Sequence, residues 1–175
     1  MAGDTHAYVA DHEIRAGVVC LMCGVAGSGK TTFAQQLGSR GLVRLSIDEH
    51  VWQHAGRYGI DYPPERYVQH QAAARAHLDD ELARHLTAGT STVLDYSFWQ
   101  RAERERYKTL IERTGRPWRL LVLVVSPDVL RARLLARRRR FDANAVPVSD
   151  DLLDRYLTGF ETPDGEGETE IPECR

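Results

Sequence analysis

Eight consecutive residues, Gly24-Val25-Ala26-Gly27-Ser28-Gly29-Lys30-Thr31, fit the pattern GxxxxGK[ST]. The glycines let the backbone curl until successive N–H groups point inward, where they can bind phosphate oxygens. A helix starting at the end of the loop adds positive potential at the same place. Lys30 would reach the β- and γ-phosphates, and the Thr31 hydroxyl would ligand Mg²⁺. Thr32 is adjacent and a poorer metal ligand. The apolar run before the loop and the helical pattern after it supply the context the motif requires. The chemistry so indicated is binding of a nucleoside triphosphate, ATP with Mg²⁺, in preference to a glycine-rich turn that binds nothing.

Phosphoryl transfer needs more than a phosphate loop. A carboxylate at the end of a neighbouring strand should order Mg²⁺ and its waters. Asp95 ends the run Thr90-Ser91-Thr92-Val93-Leu94-Asp95 and fits that role better than that of a helix cap. A second carboxylate is needed to accept the proton of a substrate hydroxyl. Asp48 follows the run Leu45-Ser46-Ile47 and so lies at the rim where ligands bind in such folds. Glu49 is next to it, and one of the two is expected to serve only as a helix-start residue; Asp48 is the preferred base. Six arginines fall within residues 131–140. Arg133 and Arg137 share a helix face, and two or three of the set are expected to close over the nucleotide while the others remain at the surface.

The elements that position these groups alternate. Residues 17–23 form a continuous apolar run, the mark of a strand buried on both faces. A helix is expected over 30–39, a short strand over 42–47 and a loop over 55–64. A long helix then runs over 64–88, with Val68, Ala72, Ala76, Leu78, Leu82 and Leu86 as its apolar side. A third strand covers 90–94. A charged helix covers 98–114, with Arg101, Arg104, Glu105, Lys108 and Glu112 spaced for pairing along its surface. The most hydrophobic strand covers 119–125, and helices are expected over 127–138 and 149–160. This order implies an α/β fold, a parallel sheet of four to five strands with helices on both faces and an arginine-rich lid. A fifth strand is a candidate at 168–172.

The whole chain, residues 1–175, reads as one domain. Residues 1–16 are expected to be a loose lead-in, 137–148 the lid and 161–175 an acidic tail. Apolar residues make up 42% and charged residues 27%, and the net charge of −2 gives no global basic field, which disfavours nucleic acid as a partner. Cys20 and Cys23 have CxxC spacing, but they sit in the apolar run and no second Cys/His pair completes a zinc site. They read as buried strand cysteines. No signal-like or membrane-spanning run is apparent, so the expected location is the cytoplasm.

Together these pieces resemble the small P-loop kinases of the predicted-kinase group often labelled AAA-family ATPases. Its relatives include the zeta toxins, chloramphenicol phosphotransferase and the kinase half of polynucleotide kinase. The likeness spans about residues 18–160 and rests on GVAGSGKT, LSIDEH, VLDYSFWQRAER and RARLLARRRRFDAN. It implies that Asp48 contacts or deprotonates the acceptor hydroxyl and that Asp95 belongs to the Mg²⁺ shell. It implies a mobile lid formed by Arg133, Arg137 and Arg140. Arg101 and Arg104 fall where relatives often carry a basic residue; either touches substrate or simply pairs along the helix.

The segment HAGRYGIDYPPERY, residues 54–67, matches no acceptor site of a known relative. Its aromatic and arginine content, including Arg57, Tyr58 and Tyr62, suits either the wall of a pocket for a polar ring-shaped molecule or an ordinary packed loop. The acidic stretch 161–168 would pair with the arginine run or flank a cationic substrate. The leading expectation is an ATP-dependent kinase that phosphorylates a hydroxyl of a small molecule, an antibiotic, sugar or nucleoside-like compound. Alternatives are a kinase of nucleic-acid 5′ ends, a zeta-toxin-like kinase of nucleotide sugars, and a nucleotide-driven ATPase switch.

Overall fold

In the computed structural model, which describes residues 4–137, 142–143 and 146–173, Val19–Cys23 forms strand β1 with all five side chains buried. Successive side chains of a strand point to opposite faces. Val19, Leu21 and Cys23 accordingly enter one apolar cluster, and Cys20 and Met22 another. Such a strand needs cover on both faces and neighbours on both edges. The neighbours are β2 (Val43–Ser46), β3 (Thr92–Asp95), β4 (Trp118–Val124) and β5 (Glu168–Pro172). All pairings are parallel, in the order β2-β3-β1-β4-β5. The fifth strand is thus present, at the edge beyond β4.

Helices α1 (Asp11–Arg15) and α2 (Lys30–Ser39) cover the Cys20 face, α2 through Phe33, Ala34 and Leu37. The opposite face is covered by α3 (Ile47–Ala55), α4 (Tyr67–Ala88) and α5 (Arg101–Glu112), through side chains such as Val51, Leu78, Leu82, Tyr107 and Ile111. Helices α6 (Pro127–Arg137) and α7 (Asp150–Gly159) meet around a third cluster of Leu130, Leu134, Val148 and Leu153. Part of the expected lid, including Arg138, Arg139 and Arg140, lies outside the described residues. Among the described residues no helix is long and apolar enough to cross a membrane.

Several local expectations are corrected. Residues 4–16 are not loose: Val9 is fully buried, Tyr8 stands edge-on to Phe33, and the Ile14 carbonyl accepts a hydrogen bond from Ser91 Oγ. The stretch after β2 turns at once into α3, capped by Ser46, whose hydroxyl accepts from Glu49 N at 3.4 Å. On α4 the inward stripe is Ala74, Leu78, Leu82 and Leu86. Val68, Ala72 and Ala76 are exposed, because packing against α3 and the sheet rotates the helix away from the hydropathy-based face. Cys20 and Cys23 lie on opposite faces of the sheet, so they cannot act as a pair. Burial pushes their thiols up to about 12 and about 11, leaving both protonated at neutral pH.

The largest correction concerns α5. Its charged side chains were expected along its surface, yet Arg104 is fully buried and Lys108 nearly so. Burying cations requires partners, and the partner they share is Glu166, from the acidic stretch expected to pair with the arginine run or flank a cationic substrate. Arg104 Nε and Nη2 donate to Glu166 Oε2 and Oε1 at 2.8 and 2.6 Å. Arg104 Nη1 donates to the Phe98 carbonyl at 2.9 Å, and Lys108 Nζ donates to the Glu166 carbonyl at 2.8 Å. Arg104 therefore pairs inside the fold and is removed as a substrate contact. The same cluster fixes Phe98, whose backbone adopts φ 43°, a conformation costly for a bulky residue and held here by its buried ring and doubly used carbonyl.

Arg104, first among the causes, holds the Glu166 carboxyl below its usual 4.5. A depressed carboxylate contributes stability above its unfolded pKa and loses it as pH falls through the folded one. Glu166→Gln should strand the fully buried Arg104 without its paired carboxylate, leave Lys108 with Glu105 alone, and cost about 3–5 kcal/mol in urea unfolding near neutral pH. The gap between wild type and variant should stay constant above about 4.5 and narrow in more acidic buffer.

Candidate active site

The phosphate loop joins β1 to α2, and its glycines are there because side chains do not fit. At Gly24, with φ 148°, a Cβ would stand 2.9 Å from Ser28 Oγ and 3.2 Å from the Leu123 carbonyl. At Gly27, with φ 85°, it would meet Leu134 Cγ at 3.2 Å. Gly29 occupies the α2 N-cap and offers no side chain to the first helical N–H groups. Lys30 Nζ donates to the Val25 carbonyl at 2.9 Å, folding back over its own loop. Among the described residues Ser28 Oγ is buried without a hydrogen-bond partner, and Arg133 Nη1 donates to the Ser28 carbonyl at 3.3 Å. A curled loop with an orphaned hydroxyl and uncapped helix start suits a phosphate chain.

Strand register delivers the carboxylates to this loop. Ser46 pairs with Asp95 at the ends of β2 and β3, so both strands exit at one level. Asp95 is buried; Thr31 Oγ1 donates to its Oδ1 at 3.3 Å and Arg44 Nε to its Oδ2 at 3.1 Å. Burial raises the Asp95 pKa, and Arg44, Lys30 and Thr31 oppose that shift. Arg44 also grips Glu49, through Nη1 to Oε2 at 3.0 Å and a second contact from Nη2 to Oε1. Glu49 is thereby committed to Arg44, while Asp48 faces away with its Oδ1 accepting from Tyr67 Oη at 2.8 Å. Burial lowers the Lys30 pKa, with Asp95 and Asp48 as the leading opposing influences and Arg137 adding to the lowering. Lys30 thus stands within electrostatic reach of both carboxylates and of Arg137.

Among the described residues no group of three His, Cys, Asp or Glu side chains could hold a metal ion. Magnesium is commonly held by one or two protein oxygens together with substrate phosphates and water. The adjacent Thr31 hydroxyl and Asp95 carboxylate fit that division of ligands.

Asp48 also lines an open cleft of about 180 Å³. One wall comes from α3 and the loop after it, including Trp52, Arg57, Tyr58 and Tyr62, and Tyr67, Asp142 and Val146 also line the cleft. Tyr58 meets Tyr67 edge-on at 5.3 Å, and Tyr62 packs on His70 at 4.6 Å. Burial, with help from Asp48, pushes the Tyr67 pKa well above that of an ordinary phenol, so Tyr67 remains a hydrogen-bond donor.

The fold therefore groups the loop 24–31 with Asp95, Asp48, Arg133 and Arg137, and sets Arg57, Tyr58 and Tyr62 around the adjoining cleft. Thr32 is exposed on the far side of the helix start. Arg101 is turned from this group: its backbone N–H is bonded to Glu161 and its side chain lies 3.9 Å from Glu166. Arg140 lies outside the described residues. Spacing alone does not single out Arg44 or Tyr67. A cation within the strand β2, where its side chain is mostly withdrawn from water, was the available signal for Arg44, since such a charge demands a partner.

A family model for an AAA domain matches residues 19–163. The chain belongs to this AAA domain family. No curated protein matches the sequence. Among solved structures, this AAA domain is similar to a kinase candidate from Chloroflexus aurantiacus, with 23% identity, a TM-score of 0.68, and coverage of 90% of this chain and 85% of the other. It is also similar to Kti12 of Chaetomium thermophilum in complex with ADP-AlF3 (16%, TM-score 0.62, 89% and 88%). A gluconokinase from Sinorhizobium meliloti matches at 19% identity and a TM-score of 0.54, over 91% and 85%. These likenesses are of fold alone.

In this AAA domain the Arg44 bridge orients Asp95. Arg44→Met should leave two acidic groups without their cation and let Asp95 rotate. Titration calorimetry with ATP should then show Mg²⁺-dependent affinity weakened about tenfold, about 1.4 kcal/mol, whereas Arg44→Lys recovers part of it.

Proposed function

We propose that this protein is an ATP-dependent kinase that transfers the γ-phosphate to a hydroxyl of a small, ring-bearing molecule held in the cleft beside Asp48. The observation that carries the reading is Asp48 itself, a carboxylate shared between the cleft and the surroundings of Lys30. A triphosphate lying on the loop 24–31 would have its terminal phosphate near Lys30. Mg²⁺, held by Thr31 and Asp95, would neutralise phosphate charge.

The acceptor hydroxyl would lie at Asp48 Oδ2, since Tyr67 already occupies Oδ1. As the acceptor oxygen bonds to the γ-phosphorus and the bond to the ADP oxygen breaks, the hydroxyl proton passes to Asp48. Lys30 would stabilise the charge on the transferring group, with Arg133 and Arg137 closing over it. The AAA domain assignment and the gluconokinase-like fold support a phosphotransferase with an alcohol acceptor. The cytoplasm, supplied with ATP and Mg²⁺, suits this activity.

Asp48→Asn should keep nucleotide affinity and lose transfer by about 10²–10⁴-fold. The measurement is product mass, one added phosphate, across a panel of hydroxylated sugars, antibiotics and nucleosides. Transfer by the variant at the wild-type rate would show that Asp48 is not the base. ATP turnover independent of any acceptor would count against a kinase.

A further inference from the structure

Arg57 is the one cation among the described residues that line the cleft. A cation at that position would ordinarily attract anionic acceptors. Its charge, however, is already answered from within its own loop. Arg57 Nε and Nη2 donate to Asp61 Oδ2 and Oδ1 at 2.8 and 3.0 Å, and the Arg57 backbone N–H donates to Oδ2 at 2.7 Å. The two-oxygen fork is the strong form of this pairing. The loop is further closed by Gly59 N donating to the Tyr62 carbonyl at 3.0 Å. Gly56 permits Asp61 to approach, since a Cβ there would stand 2.7 Å from Asp61 Oδ2. Asp48 and the rings of Trp52, Tyr58 and Tyr67 line the same cleft as Arg57.

We propose that Asp61 is a specificity residue that masks Arg57, so that the cleft takes neutral or cationic ring-bearing polyols and rejects anionic ones. The inference rests on the cleft being the acceptor site. An acidic acceptor would place its charge near the Asp48 carboxylate and find the only described lining cation already bound to Asp61. A neutral ring loses nothing there, and its C–H face can lie on the aromatic wall. A cationic group gains from the same rings. The selectivity is thus built from a repulsive element and a withheld attractive one.

The test uses phenyl glucuronide, phenyl glucoside and phenyl glucosaminide, which share ring and size and carry negative, zero and positive charge. Binding without nucleotide is read by saturation-transfer NMR, and transfer by product mass with ATP. The wild-type protein should bind the neutral and cationic members at least about tenfold more tightly than the anionic one. In Asp61→Asn, the amide oxygen can still accept from the Arg57 N–H but carries no charge. That variant should improve the anionic member about tenfold relative to the neutral one, and adding Arg57→Gln should abolish the gain. A loop that merely loosened would weaken all three ligands together.

Equal binding of the glucuronide in wild type, an unchanged ratio in Asp61→Asn, or no binding by any member overturns the proposal. Binding in the expected order without phosphate transfer to any member would count against the kinase reading and leave the charge selection standing.

Discussion

Leu21, Leu94 and Leu45 stand side by side across β1, β3 and β2, and this parallel register sets where every polar group of the site emerges. Parallel strands leave the sheet in the same direction, so one rim collects the ends of all of them. From that rim β1 feeds the phosphate loop, β3 ends in Asp95 and β2 runs directly into the helix carrying Asp48. A slip of one residue in either neighbour would turn its whole side-chain set over. The apolar interior thus fixes the positions of charged groups that contribute nothing to it.

Electrostatic compensation then sorts those groups into two kinds. Arg44 joins Asp95 and Glu49, and Glu166 joins Arg104 and Lys108, so buried charge is met by opposite charge at hydrogen-bond distance. Asp48 is different. Its described partner is the neutral Tyr67 hydroxyl, which orients the carboxylate without cancelling its charge. A carboxylate oriented by a neutral donor and facing a cleft is suited to receiving a proton, whereas one clamped by guanidinium is suited to holding its place.

What was legible in the sequence follows from how local the signal is. The phosphate loop is a contiguous motif whose glycines and Lys-Thr pair recur at fixed spacing, so eight residues suffice to read it. The central strand β1 follows from its apolar run, because burial on both faces leaves no polar alternation, whereas β5, with Ile171 as its one buried side chain, was readable only as a candidate. The inward face of α5 was not legible. Arg104 and Lys108 look like surface charge until Glu166, 62 and 58 positions away, is folded against them. Val68 misleads in the same way on α4, where helix rotation is decided by α3 and the sheet and not by hydropathy along one helix. The N-terminal stretch was misjudged because Val9 is a single apolar anchor among polar residues, too sparse to make a period.

The Arg104–Glu166 pair also has a consequence for synthesis. A ribosome extends a chain at about 5–20 residues per second, so the 62 positions between the two residues correspond to about 3–12 s. During that interval Lys108 can pair with Glu105 on its own helix, but Arg104 lacks the carboxylate with which it must be buried, and its side of α5 stays hydrated. The sheet can align its first four strands in that time, but the helix can dock fully only after the Glu166 segment emerges. Closure of this side of the molecule is therefore a late event in the birth of the protein, timed by translation itself.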